Sequence, residues 1–240
     1  MEQGLFQASI AIGRSLRQQE IHAANIANVD TPGFRRQVVA ERAFGSLLEK
    51  EMGRGMDQFM ETARDFAPGN FVNTGNPLDV AIDGPGMLAV QGRDETLYTR
   101  NGVLTLTSEG TLTTRDGWPV LGESGSPIVL DPNGGNPRIS ADGSISQGGN
   151  TLGKLRIVEF DSPGLLEARG VVYYRARQGV LPREGSESGI QQGYREQSNV
   201  RLMDEMVTMM TTFRQLEHSQ KALTSINDTL TQLVQTSRAP

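Results

Sequence analysis

The chain has 240 residues, 36% of them hydrophobic, which is enough for one large globular domain or two small ones. Its net charge of -5, and the lack of any basic run interleaved with aromatic residues, argue against nucleic-acid binding. Cysteine is absent, which excludes disulfides, thiolate metal sites and a cysteine nucleophile, and leaves the compartment open.

The hydropathy pattern argues against a membrane protein. No apolar run approaches the roughly 20 residues that are needed to span a bilayer. The N-terminal residues also lack the charged, apolar and small-residue segments of a secretory signal. We therefore expect neither membrane insertion nor export by the general secretory route.

The first predicted element is an amphipathic helix over residues 3–28. Its apolar positions share one face, which Gln19 and His22 interrupt. These positions are Leu5, Ala8, Ile12, Leu16, Ala23 and Ile26. The helix should end in the segment 29–34, because the residue before Pro32 is pushed out of the helical region and Gly33 permits a turn. Residues 35–70 form a connecting region, in which 38–52 could be a short helix or an extended arm.

The middle of the chain reads as antiparallel β structure. Most of the 28 glycines lie there, and five short runs carry β-branched and aromatic residues between them. The runs are 78–82, 87–90, 103–107, 152–160 and 171–174. Three pairs of an acidic residue and a glycine predict tight hairpin turns. The pairs are Glu109-Gly110, Asp116-Gly117 and Asp142-Gly143.

The last predicted element is a long helix, since residues 194–239 contain neither glycine nor proline. Its seam positions recur at steps of three and four, which is typical of a coiled coil. They are Met206, Met209, Phe213, Leu216, Gln220, Leu223, Asn227, Leu230 and Val234. Ser198 or Asn199 could cap its start. A helix of some three dozen residues would be roughly 50–55 Å long and needs a long partner.

Together these elements predict an α+β fold, in which two terminal helices bracket a central antiparallel, turn-rich β domain. The helices could pair in an antiparallel or staggered way and leave apolar surface for neighbouring chains. Alternatively, both could simply cover the core of one domain. The polar seam residues Gln220 and Asn227 could fix the register, or they could face solvent.

Candidate groups for chemistry do not form a recognisable site. The candidates are the histidines His22 and His218, the carboxylates Asp79, Asp83, Asp94 and Glu95, and the turn residues Asp131, Asn133 and Asp142. A helical histidine is more often structural than a metal ligand. The turn residues lack the spacing of a calcium loop, and no glycine-rich run has a phosphate-binding pattern. We therefore predict no catalytic residue, no cofactor and no metal site, and consider a hydrolase or lyase only as an alternative.

Several ordered motifs resemble the bacterial flagellar rod and hook proteins. Residues 24–35 (ANIANVDTPGFR) are similar to the N-terminal signature of that family. The other motifs are 74–84 (TGNPLDVAIDG), 98–102 (YTRNG), 116–122 (DGWPVLG), 192–194 (QGY) and 196–200 (EQSNV). The chain departs from the family pattern at Met87-Leu88, where two aromatic residues are usual, and at Ala24, where asparagine is commoner. Within the family it resembles the proximal rod proteins more than the distal ones.

The resemblance implies a structural subunit of the flagellar basal-body rod, the shaft that crosses the periplasm and transmits torque. Its partners would be other rod proteins and copies of itself in a helical rod, and the flagellar type III apparatus would export it. Assembly helices would lie in residues 1–33 and 193–240, around a connecting segment 34–72 and a β domain 73–192. A distal rod or hook subunit is the alternative within the family, and a monomeric adaptor with a coiled-coil stalk is the alternative outside it.

Assembly is predicted to depend on the helix seams and on the turn after the first helix. The predicted residues are Leu5, Ile12, Leu16, Asn25, Ile26, Asn28, Thr31, Gly33, Phe34, Met206, Met209, Phe213, Leu216, Leu223 and Leu230. Asparagine side chains can hydrogen-bond to a neighbour's backbone, and Phe34 can serve as an apolar anchor. The alternative for the turn is a helix cap with a buried phenylalanine.

Overall fold

A computed structural model of the chain describes residues 2–40, 61–185 and 187–237, with side chains for 7–39, 62–185, 187–229 and 231. The chain divides into two compact units. We call the first the helical unit; it comprises Met1–Ala27, Gln37–Asp65 and Val200–Pro240. We call the second the β unit; it comprises Asn28–Arg36 and Phe66–Asn199.

The helical unit contains two long helices and one pair of antiparallel strands among its described residues. Helix α1 spans Glu2–Ala27 and helix α2 spans Leu202–Ser237. Strands β1 (Gln37–Ala40) and β2 (Glu61–Arg64) pair antiparallel. Of the predicted segment 38–52, only residues 38–40 are described, and they lie in β1; the rest lies outside the described residues.

The β unit consists of short antiparallel strands. They are β3 (Phe71–Asn73), β4 (Val80–Asp83), β5 (Met87–Gln91), β6 (Thr96–Thr99), β7 (Leu104–Leu106), β8 (Leu112–Thr114), β9 (Arg138–Ile139), β10 (Ser144–Gln147), β11 (Asn150–Lys154), β12 (Ile157–Glu159), β13 (Leu166–Ala168), β14 (Tyr173–Ala176), β15 (Arg183–Glu184), β16 (Gly189–Gln192) and β17 (Tyr194–Glu196). A 3-10 turn at Pro163–Leu165 precedes β13. The α+β fold class predicted from the sequence is confirmed.

The largest sheet of the β unit has six strands, in the order β13-β14-β6-β5-β12-β15. A three-stranded sheet has the order β11-β10-β9, and three strand pairs join β16 to β4, β17 to β3 and β7 to β8. On the six-stranded sheet, the small Ala89 lies opposite the large Tyr98, whose ring meets Phe160 edge-on with centroids 4.9 Å apart. These side chains are buried, so the core of the unit forms around this sheet.

The three predicted hairpin turns are confirmed. Gly110 lies between β7 and β8, Gly117 between Thr114 and Trp118, and Gly143 between β9 and β10. Their φ angles are +86°, +85° and +88°, a range that glycine adopts without the steric cost of a side chain.

Two predicted elements differ from the structure. The run 152–160 is not one strand, because Leu155 leaves β11 and bonds to the Gly143 carbonyl before β12 begins. The last helix begins at Leu202, later than the predicted cap at Ser198 or Asn199 would place it, and Tyr194–Glu196 before it forms β17, which pairs with β3. Pairing with a distant strand overrides local helix propensity in this segment.

Tyr173, in β14, gives a pH-dependent prediction. Its hydroxyl donates to Asp116 Oδ2 at 2.6 Å and lies 3.0 Å from the Thr114 hydroxyl oxygen, and burial together with the Asp116 bond raises the pKa of Tyr173. Above about pH 10, the usual tyrosine pKa, the unfolded chain releases this proton while the folded chain retains it. The stability of the folded chain therefore falls as pH rises. We expect Tyr173→Phe to cost about 1 kcal/mol near neutral pH and to flatten this alkaline loss.

Urea unfolding near neutral pH and above about pH 10 checks this prediction. Burial also raises the pKa of Tyr98. Because Tyr98 is present in both the parent and the variant, its contribution to the alkaline loss of stability is the same in each. An alkaline loss of the same size in the variant and the parent would contradict the assignment.

Candidate assembly surface

The two helices of the helical unit pack against each other. His22, near the end of α1, bonds through Nδ1 to Oε2 of Glu205, near the start of α2, so the helices run antiparallel. His22 and Glu205 are both buried. This pair ties the helix ends together, and removing either partner would leave the other polar group buried without it.

The buried face of α2 combines polar and apolar residues. Glu205, Thr212 and Leu216 are buried, with Met209 and Leu223 half-buried on the same side at steps of three and four. Thr212 donates its hydroxyl to the Thr208 carbonyl at 2.9 Å, one turn earlier in its own helix. The hydroxyl is therefore satisfied where no water reaches it, which permits threonine in a buried seam.

A second face of α2 is apolar and exposed. Its members are Met203, Met206, Val207, Met210 and Phe213, each between 38% and 74% exposed. At 100° per residue these positions centre about 130–140° around the helix from the buried face. We call this set the α2 apolar face. Adjacent exposed apolar side chains of this kind are characteristic of interaction surfaces in soluble proteins.

Asn25 connects α1 to strand β1 of the helical unit. Its side-chain Oδ1 accepts from the Gln37 amide at 2.7 Å, and its Nδ2 donates to the Gln37 carbonyl at 2.9 Å. The side-chain amide thus makes with Gln37, the first residue of β1, the two hydrogen bonds that a neighbouring strand would make. Because Asn25 is fully buried, its observed contacts lie within the chain.

The predicted turn after α1 is well defined within the β unit. The Thr31 amide donates to the Asn28 carbonyl at 3.1 Å, and the Phe34 amide donates to the Thr31 carbonyl at 3.2 Å. Gly33 has φ +69°, and its amide donates to the Glu196 carbonyl at 2.9 Å. Phe34 is buried, so the side chain that was expected to anchor a neighbour packs inside this chain.

A buried charge cluster lies next to this turn. Glu196 forms an ion pair with Arg35, whose Nη1 lies 2.8 Å from Oε1, and it accepts a hydrogen bond from Arg100 Nε at 2.8 Å. Its Oε1 also accepts from the Gly69 amide at 2.9 Å. All three charged side chains are at most 3% exposed. We call Arg35, Arg100 and Glu196 the arginine–glutamate cluster.

Arg100 also holds one end of the β4–β5 connection. It donates to the carbonyls of Ile82 at 2.7 Å, Gly84 at 2.6 Å and Gly86 at 2.6 Å. Burial lowers the pKa of Arg100, and the adjacent Glu196 opposes that shift. Three backbone carbonyls and one carboxylate therefore surround this guanidinium, which is the environment that a buried arginine needs.

The predicted assembly residues occupy different environments. On α1, Leu16 is exposed and Ile12 and Ile26 are half-buried, while the buried positions include His22, which was expected to interrupt the seam. On α2, Met206 and Phe213 belong to the apolar face, whereas Leu216 is buried and Met209 and Leu223 are half-buried. Gln220 and Asn227 are exposed. The side chains of Leu5 and Leu230 lie outside those described.

Sequence reasoning missed Glu205 as a seam residue, and it missed the arginine–glutamate cluster. An apolar periodicity cannot detect a carboxylate that is buried because a histidine meets it. The cluster did leave a signal, since Arg35, Arg100 and Glu196 each lie in one of the motifs that carry the family resemblance.

The described residues offer little for chemistry. No group of three or more of their histidine, aspartate and glutamate side chains could hold a metal ion. His22 is engaged with Glu205, and His218 is exposed on α2. Neither described helix combines the length and hydrophobicity that crossing a membrane requires.

Three family models match the chain. The description "Flagella basal body rod protein" matches residues 11–35, and "Flagellar hook protein FlgE/F/G D1 domain" matches residues 81–147. The description "Flagellar basal body rod FlgEFG protein C-terminal" matches residues 191–236. The matches thus cover the two terminal regions and part of the β unit.

Similar proteins extend the match to nearly the whole chain. The flagellar basal-body rod protein FlgF of Salmonella typhimurium is 33% identical over 95% of both chains. FlgF of Caulobacter vibrioides is 33% identical over 86% of both chains. FlgG of Bacillus subtilis is 31% identical over 89% of this chain and 91% of its own length.

The paired terminal helices and the interposed β structure are those of an axial structural protein, and the chain belongs to the flagellar basal-body rod proteins of the FlgE/F/G family. Within that family it is a FlgF-like subunit of the proximal rod, with a structural and not an enzymatic role. Membership of the rod family implies assembly with other rod subunits.

Proposed function

We propose that this subunit joins its neighbours in the rod through the α2 apolar face, which would pack against the terminal helices of adjacent subunits, including copies of itself. The observation that supports this is the exposure of five apolar side chains on one side of α2, away from the face that carries Glu205 and Leu216. Membership of a family of rod subunits supports helices of neighbouring subunits as the occupant.

The energetics favour such packing. A methionine, valine or phenylalanine side chain gains about 1.5–3 kcal/mol when it moves from water to a fully buried position. The five members of the face are between 38% and 74% exposed, so part of this free energy would be gained only when a neighbouring subunit covers them. The loss of side-chain and orientational freedom on association offsets part of that free energy.

The geometry of the contact would determine the form of the assembly. If the α2 apolar face meets a different surface on the next subunit, the contact is heterologous and repeats without closing. Such contacts build a helical shaft, in which torque is distributed over many interfaces. The other predicted assembly residues, among them Leu16 and Thr31, remain proposals for the same shaft, as does export through the flagellar type III apparatus.

A charge introduced on the face tests the proposal. We expect Val207→Glu with Met210→Glu to reduce incorporation into the rod by about tenfold or more, the equivalent of ~1.4 kcal/mol of contact energy. Glutamate forms helices well, so helix α2 itself should persist. The measurement is the amount of subunit in isolated basal bodies, together with swimming, in cells whose only copy is the variant.

The matched control places the same two charges elsewhere on the same helix. Thr208 and Gln215 are exposed positions outside the α2 apolar face, so Thr208→Glu with Gln215→Glu should incorporate like the parent. Circular dichroism and thermal unfolding of both purified variants verify that each is folded. Normal incorporation of the face variant would rule out the α2 apolar face as the assembly contact.

A further inference from the structure

Three of the five members of the α2 apolar face are methionines. Met203 is 74% exposed, Met206 is 38% exposed and Met210 is 56% exposed. Met87, in β5, is only 2% exposed. The chain thus carries a thioether cluster on an accessible surface and a buried methionine that can serve as an internal reference.

We propose that Met203, Met206 and Met210 form an oxidation site, at which a peroxide converts the thioethers of the unassembled subunit to sulfoxides and thereby blocks assembly. This inference rests on the proposed role of the α2 apolar face. It adds a modification, its oxidant class and a direction of regulation to that role.

The reaction is a two-electron oxygen transfer. A sulfur lone pair attacks one oxygen of hydrogen peroxide, the O–O bond breaks, and an S–O bond forms. The sulfur is oxidised by two electrons, and the peroxide is reduced to one molecule of water after a proton moves to the departing oxygen. No cofactor is needed, and reductases that act on methionine sulfoxide can reverse the change.

Oxidation changes the chemistry of the face and leaves its position unchanged. A sulfoxide carries a polar oxygen, and burying such a group without a hydrogen-bond partner costs free energy. Val207 and Phe213, the remaining members of the face, offer no hydrogen-bonding side-chain group to it. The modified face therefore loses much of its tendency to pack against an apolar partner.

The fold of the subunit should survive the modification. The buried side of α2 depends on Glu205, Thr212 and Leu216, which lie away from the three methionines around the helix. The His22–Glu205 contact between α1 and α2 contains no sulfur. Oxidation would thus act on association and not on folding, and incorporation would in turn shield the methionines from peroxide.

Peptide mapping by mass spectrometry tests the site itself. The full-length folded chain is treated with graded hydrogen peroxide, and the sulfoxide at each methionine is followed with time. We expect Met203, Met206 and Met210 to oxidise roughly fivefold or more faster than Met87, with circular dichroism unchanged. Equal rates at all four positions would overturn the assignment.

A second experiment tests the effect on assembly. Cells carry either the parent or Met203→Leu/Met206→Leu/Met210→Leu, a change that conserves apolar volume, and receive a sublethal peroxide pulse while rods are forming. New incorporation after the pulse is expressed as a fraction of that in untreated cells of the same strain. We expect this fraction to fall for the parent and to fall much less for the leucine variant. A Met87→Leu variant, which keeps the exposed methionines, should respond like the parent.

The outcomes separate this inference from the proposed function. An equal loss of incorporation in the parent and the leucine variant would mean that peroxide acts elsewhere, and would overturn the oxidation site alone. If Val207→Glu with Met210→Glu incorporates normally without peroxide, the assembly role of the face fails, and the regulatory part of this inference fails with it. Each strain is compared with its own untreated level, so a leucine variant that incorporates less without peroxide still tests the inference, and a fractional loss equal to that of the parent overturns the oxidation site.

Discussion

Replacing Glu196 with glutamine should destabilise the β unit by about 3–5 kcal/mol, the usual cost of removing one partner from a buried ion pair. Glu196 is 1% exposed and meets both Arg35 and Arg100, which are equally enclosed. Glutamine keeps the shape of the side chain but not its charge. The two guanidinium groups would then remain buried close together without the carboxylate between them.

Urea unfolding of the full-length chain, followed by tyrosine and tryptophan fluorescence, measures the loss. The matched control is Glu167→Gln on β13, which also removes a carboxylate that meets several arginines, Arg175 among them. Those side chains are between 33% and 47% exposed, and solvent screens such pairs, so the control should be hard to distinguish from the parent. A Glu196 variant with parent-like stability would show that the cluster is not required for the fold.

The arginine–glutamate cluster illustrates what the sequence could not provide. Arg35 and Arg100 lie 161 and 96 positions before Glu196, and no local periodicity links residues so far apart. The helices and hairpins were predictable because their signals are local: spacing of three and four in α1 and α2, and acidic-glycine pairs at the turns. Contacts between distant segments follow from tertiary structure and have no such signature.

The seam of α2 shows a second limit. An apolar repeat identified Met206 and Phe213 as seam residues, but the buried side of the helix contains Glu205 and Thr212. A glutamate is buried there because His22 meets it, and a threonine is buried because its hydroxyl bonds to its own helix. On α2, hydropathy therefore predicts the wrong burial for these four residues. The apolar ones are exposed, and they form part of the α2 apolar face.

The motifs that identified the family meet largely at one place in the β unit. The motif at 24–35 contributes Gly33 and Arg35, the motif at 98–102 contributes Arg100, and the motif at 196–200 contributes Glu196. The motif at 74–84 supplies the Ile82 and Gly84 carbonyls that Arg100 binds. We infer that these motifs primarily maintain the internal structure of the subunit. This agrees with the proposal that subunits contact one another through helix surfaces outside these motifs.

A comparison of two glycines tests this view of the motifs. Gly33 and Gly75 have nearly the same backbone conformation, with φ of +69° and +67°. A Cβ at Gly33 would lie 2.4 Å from the Asn101 amide nitrogen and 2.6 Å from the Arg100 carbonyl carbon, whereas a Cβ at Gly75 would have no atom within 4 Å. The two positions share the conformational requirement and differ in the space around them.

We therefore expect Gly75→Ala to cost about 1–2 kcal/mol, the strain of a left-handed alanine. Gly33→Ala should cost about 3 kcal/mol or more, because the same strain is joined by a collision with backbone, and an overpacked site adds about 1–3 kcal/mol. Since both variants add one methyl group at matching φ, the difference between their urea midpoints reports the close approach of the turn to the segment around Arg100. Equal losses in the two variants would mean that the turn can move away from that segment at little cost, and would remove the argument that the N-terminal motif serves internal packing.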